Sequence, residues 1–155
     1  MEPFSDVVIL TKLKGNVLSN PAHFLTAHLP VKATLDSAGY DLTVYSRSYY
    51  YINETLRTES YDTGISIVIP KNLVGLVFSR SSVFKVLDHD GIAFLANGVG
   101  VIDPDYRGTI QLKYQVNTEK TDYIYNIGDR CGQILFLPKI DVIFKEVKDF
   151  EIETE

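Results

Sequence analysis

The chain has 155 residues, a length at which one domain with a real apolar core is the default, and its 45% hydrophobic and 23% charged content reads as globular rather than disordered. A net charge of -5 argues against a general binder of nucleic acid or anionic membrane, though an anionic small molecule could bind where cations cluster, and the single Cys131 excludes an internal disulfide and any multi-cysteine zinc site. No apolar run is long enough to span a bilayer.

In chain order, residues 7–13 predict a short strand ending in lysines, and residues 15–28 are polar and turn-rich, with a bend at Asn20-Pro21. Residues 29–35 are expected to be extended. A strand is predicted from Ala38 through Tyr45, and an aromatic one over Tyr49 to Ile52, which suits core or a subunit interface better than a stacking platform. Residues 53–58 read as a polar turn. The run from Gly64 alternates and stops at Pro70, and residues 73–78 follow as the next strand. Residues 81–86 suit a short helix with Ser79 or Ser81 as cap. Residues 92–96, 99–102, 109–116, 124–127, 133–137 and 142–147 are strand-like. Many short strands with regular turn signals argue for an all-β sandwich, barrel or jelly roll. Cys131 reads as a buried thiol. Met1 to Asp6 has no signal-peptide character, so an intracellular setting is expected, cytoplasmic or nuclear.

The most informative stretch runs from Leu95 to Gln111. Two apolar, β-branched runs flank a polar turn carrying Asp103, Asp105, Tyr106 and Arg107, punctuated by Gly98, Gly100 and Gly108. A β-hairpin pocket with one carboxylate at its lip fits these residues, and so does an ordinary structural hairpin.

Four separated clusters carry more weight together. They are Ala38-Gly-Tyr-Asp-Leu42, Phe78-Ser-Arg-Ser-Ser82, Asn97-Gly-Val-Gly-Val-Ile-Asp-Pro-Asp-Tyr-Arg-Gly108 and Gly128-Asp-Arg-Cys-Gly-Gln133, with Thr63-Gly-Ile-Ser-Ile-Val-Ile-Pro-Lys71 leading into the second. Their order, content and spacing resemble the first four motifs of the trimeric dUTP diphosphatase (dUTPase) family, over roughly residues 28 to 145. The resemblance implies a jelly-roll (β-clip) subunit, a homotrimer with sites between subunits, and magnesium-dependent hydrolysis of dUTP to dUMP and pyrophosphate. It further implies that the second and fourth motifs come from one chain and the third from its neighbour.

Each cluster also has a physical reading. A hairpin can offer main-chain N–H and C=O groups to a pyrimidine edge, and buried polar groups left unpaired by the wrong base cost about 1–3 kcal/mol each. The resemblance makes Asn97, Gly100, Val101 and Ile102 contacts for uracil and sugar, with Gln111 opposite Asn97. It places Tyr106 under the deoxyribose, leaving no room for a 2′-hydroxyl. Attack at the α-phosphorus needs a positioned water and a proton acceptor, and Asp103 at the lip suits both roles; Asp103-Pro104-Asp105 as a plain turn is the other reading. Arg80 offers a fork of donors to phosphate oxygens, with Ser81 and Ser82 hydroxyls beside it. Ser79 stands where the family usually has proline, and Ser82 where glycine is common.

Asp41 matches the aspartate that holds Mg2+ through water; one or two carboxylates suffice when substrate oxygens complete the shell. Gln133 is implied near the α-phosphate and the attacking water. Asp129 and Arg130 are read as a structural pair at a turn. His23, His28 and His89 have no metal spacing. Lys113 stands where a related dCTP deaminase would need a glutamate, which disfavours deamination; a nucleotide-binding trimer with little or no turnover is the remaining alternative. Residues 1–155 are expected to be a single domain. Residues 146–155 resemble the acidic lead-in to the family's glycine-rich arm, without the arm, so slow turnover is expected.

Overall fold

A computed structural model describes residues 7–15, 27–88 and 90–148. Its ten strands are β1 (Leu10–Leu13), β2 (Tyr40–Thr43), β3 (Ser46–Tyr51), β4 (Leu56–Asp62), β5 (Ile65–Val68), β6 (Leu73–Phe78), β7 (Ile92–Leu95), β8 (Gly100–Ile102), β9 (Gln111–Asn117) and β10 (Arg130–Pro138). Two four-stranded sheets, ordered β2-β10-β6-β8 and β3-β4-β9-β7, and a β1-β5 ribbon are antiparallel throughout. The all-β architecture expected from the turn spacing is therefore present. The strand period of two explains how the core forms: Leu112, Tyr114 and Val116 of β9 point inward, between exposed Gln111, Lys113 and Asn117. They meet Leu42, Ile65, Val77 and Ile134 in one cluster. Cys131 is buried there as expected, and burial pushes its thiol up to about 12, so it is no nucleophile.

Several expectations are corrected. The predicted turn over residues 53–58 ends at Thr55, and β4 begins at Leu56. Its polar residues disguise a central strand, because Arg57 and Glu59 are buried as a pair at 2.7 Å. Arg57 also donates to the carbonyls of Lys120, at 2.5 Å, and Asp122, at 2.6 Å. Glu59 accepts from the Tyr61 hydroxyl and, at 3.0 Å, from the N–H of Ile124. Tyr61 Oη in turn accepts from the N–H of Tyr125 at 3.2 Å. Burial and the Glu59 contact both drive the Tyr61 phenol far above its usual range. These side chains take up main-chain groups of Lys120, Asp122, Ile124 and Tyr125, and the strand predicted at 124–127 does not form.

Residues 29–35 contribute only the Val31–Asp41 bridge, and residues 142–147 form no strand. Tyr49, Tyr50 and Tyr51 lie on edge strand β3 and are all exposed, so they are not core of this chain. The stretch from Leu95 to Gln111 is no hairpin: β8 pairs with β6, whereas β9 pairs with β4 and β7. Its polar turn crosses from one sheet to the other. Thr63 holds the crossing, since both its N–H and its hydroxyl donate to the Ile110 carbonyl, at 3.0 and 2.8 Å. Asn20-Pro21, His23, His89 and residues 149–155 lie outside the described residues. Among the described residues no helix is long and apolar enough to cross a membrane.

Candidate active site

Strand register assembles the first half of the site. Asp41 in β2 faces Gln133 in β10, and Gln133 faces Phe78 in β6, so three motifs far apart in sequence share one row. Arg80 follows two residues after Phe78. Asp41 is the hub: its Oδ2 accepts from Arg130 Nη1 at 2.9 Å, and Arg80 Nε lies 3.5 Å from Oδ1. Arg130 thus pairs with Asp41 and not with Asp129, which corrects the turn-pair reading. Asp129 instead accepts the N–H of Asn126 at 2.6 Å.

Gln133 Nε2 donates to the Ser79 carbonyl at 3.1 Å, which orients the amide. Gly39 leaves it room, because a Cβ there would come within 2.2 Å of Gln133 Oε1. The short 3-10 turn Ser81–Lys85 starts after Arg80, with no side-chain cap, so neither Ser79 nor Ser81 caps it. The hydroxyls of Ser81 and Ser82 make no hydrogen bond among the described residues.

Asp41, Arg80, Ser81 and Gln133 border one cleft of about 660 Å³, together with Gly39, Phe78, Ser79 and Val83. Arg80 brings a guanidinium to the cleft wall, and Arg130 reaches Asp41 from outside it, so a fork of donors is available to phosphate oxygens. A second cavity of about 680 Å³, lined by Val7, Ile9, Lys32, Tyr40, Leu73 and Phe136 among others, holds none of these groups.

The other half lies across the sheet. β8 is an edge strand, so one side of Gly100, Val101 and Ile102 has no partner among the described residues and presents its main-chain groups outward. Gly98, at φ +67, makes the turn into it beside exposed Asn97. Asp103 follows β8; it is exposed, and its carboxylate is unpaired among the described residues. Tyr106 Oη donates to the Thr109 carbonyl at 2.9 Å. Gln111 faces Asp62 of β4 rather than Asn97.

β8 and β10 are separated by β6, on the order of 10 Å across the sheet. Asp103 is displaced further along the strands, since Ile102 faces Gly75 while Gln133 faces Phe78. Within one chain, Asp103 and Gln133 are too far apart to act on one phosphorus. The sequence pointed to both halves, but it missed Arg130 as the partner of Asp41, and Gly39 and Ser79 as the setting of Gln133.

Comparison with known proteins identifies the family. The family model described as dUTPase matches residues 26–155. The deoxyuridine 5'-triphosphate nucleotidohydrolase of Haemophilus ducreyi is 36% identical over 124 residues, covering 79% of this chain and 78% of that protein. The enzyme of the same name from Hamiltonella defensa is 31% identical over 146 residues, covering 94% and 87%. The dUTPase from phage phi11 of S. aureus superposes with a TM-score of 0.62 at 21% identity, covering 90% of this chain and 98% of that one. A mutant dUTPase of Staphylococcus bacteriophage 80alpha with dUpNHpp gives 0.64 at 20% identity, covering 93% and 92%. The fold, the motif clusters and these relatives agree: the chain belongs to the dUTPase family of hydrolases.

Proposed function

We propose that this chain hydrolyses dUTP to dUMP and pyrophosphate, at sites that each combine the Asp41–Arg80–Gln133 cleft of one subunit with the β8 edge and Asp103 of a neighbour. The observation that carries this is the convergence of Asp41, Arg80, Ser81 and Gln133 on one cleft, out of reach of the same chain's Asp103. A homotrimer brings the halves together. The segment at residues 139–148 supports association: Ile140, Val142, Ile143 and Phe144 are 66–96% exposed, and a neighbour would cover them.

In this reading the unpaired main chain of β8, with Asn97, reads the uracil edge, and Tyr106 lies under the deoxyribose. The cleft's Arg80 and Ser81, with neighbouring Ser82, bind the phosphates. Gln133 orients a water for attack at the α-phosphorus, and Asp103 accepts its proton. The donor set fits a magnesium ion that arrives with the triphosphate: Asp41 is the single carboxylate on the cleft, and no cluster of three or more His, Cys, Asp or Glu groups exists among the described residues. A dUTPase from phage phi11 coordinates a structural Mg(II) ion. Asp41 would hold the ion through water, and the ion would neutralise charge on the phosphoryl oxygens.

Pyrophosphate release should be measured with dUTP, dTTP, dCTP and UTP, with and without magnesium. Release from dUTP alone, and only with the metal, is expected. Equal release from all four would contradict base and sugar recognition, and release unaffected by chelation would contradict the metal role.

A further inference from the structure

Asp62 closes β4 outside the four clusters, and its carboxylate is four-fifths buried. One oxygen accepts the N–H of Gly64 at 2.7 Å. The other accepts the Thr109 hydroxyl at 3.0 Å and lies 3.3 Å from Lys14 Nζ. Thr109 in turn offers its carbonyl to the Tyr106 hydroxyl at 2.9 Å. Beneath that phenol there is no slack, since a Cβ on Gly108 would fall 2.5 Å from Tyr106 Oη. One chain of contacts, Asp62 to Thr109 to Tyr106, therefore ties an exposed ring in the crossing to a largely buried anchor at the end of β4.

We propose that Asp62 is a positioning residue that fixes Tyr106, and through it the discrimination between deoxyribose and ribose. The inference rests on the reading that the sugar lies against Tyr106. A ring held at both its turn and its hydroxyl cannot yield to an added 2′-hydroxyl. A ring freed from Thr109 can swing aside and admit it. Asp62 touches no substrate, and its action is entirely through the turn.

The test compares kcat and KM for dUTP and UTP in four variants. Asp62→Ala breaks the anchor, and Thr109→Val breaks the same link while keeping its shape. Both should lower the dUTP over UTP preference on the order of tenfold, the size of one lost hydrogen bond, mainly through KM. Asp62→Asn should keep the preference, because with its amide oxygen on the Gly64 N–H its Nδ2 can donate to the Thr109 hydroxyl, which turns to accept. Tyr106→Ala should abolish it. A preference unchanged in Asp62→Ala and Thr109→Val, but lost in Tyr106→Ala, would overturn the proposal and leave the sugar reading standing. A preference unchanged in Tyr106→Ala as well would overturn both.

Discussion

Asp103→Asn should lower kcat for dUTP hydrolysis by roughly 10²- to 10⁴-fold, the range a positioned general base supplies, and leave dUTP affinity within a few-fold. The expectation follows from where the carboxylate sits. Asp103 leaves β8 at the end of the unpaired main-chain edge, is exposed, and forms no ion pair among the described residues. It anchors no neighbouring element through its side chain, so its replacement should leave the fold intact. Asparagine keeps the size and the ability to hold a water by hydrogen bonding, but it cannot take the proton. Single-turnover rates and equilibrium binding of a non-hydrolysable dUTP analogue separate the two effects. Loss of binding in step with rate would make Asp103 a substrate ligand rather than a base.

Arg57→Ala should destabilise the chain by about 3–5 kcal/mol, the usual result of stripping one member from a buried ion pair. Arg57 and Glu59 are both fully buried, so the orphaned carboxylate would keep only its neutral partners. The carbonyls of Lys120 and Asp122 would lose their donors as well. For a chain of this size the melting temperature should fall by roughly 10 °C or more. Replacing both residues by apolar ones of similar volume should cost much less than the sum of the single changes, because no uncompensated charge remains. Thermal denaturation of the two single variants and the double variant measures this. A small loss in Arg57→Ala would mean that the pair does not anchor the connection over residues 118–129.

That ion pair also shows why part of the fold was hidden in the sequence. Val116, Tyr114 and Leu112 announce β9 by simple alternation. Arg57 and Glu59 read as solvent-facing, and only the carbonyls and N–H group brought to them from 63 to 65 residues away let them lie inside. The same distance hid the neighbour of Asp41. Asp129 sits beside Arg130 in the chain, but the guanidinium reaches across to β2. A polar turn between two apolar runs looks the same whether it closes a hairpin or crosses between sheets, so the true partners of β8 and β9 were not legible locally. Asp41, Arg80 and Gln133 were legible as motif residues, and strand register explains why such distant positions meet. Asp62 gave no signal, because its role depends on Thr109 and Tyr106, more than 40 residues on, being brought beside it by the pairing of β9 with β4.

The division of the site between two chains is tested most directly by mixing two variants that are each inactive, Asp103→Asn and Arg80→Ala, and letting the subunits reassort. In a closed ring of three, every mixed trimer has one junction where an intact Arg80 cleft meets an intact Asp103, so activity should return to about a quarter of the wild-type level in an equal random mixture. Activity that stays at the level of the separate variants, in a mixture shown to contain mixed trimers, would mean that each chain carries its whole site and that the two halves are wrongly joined here.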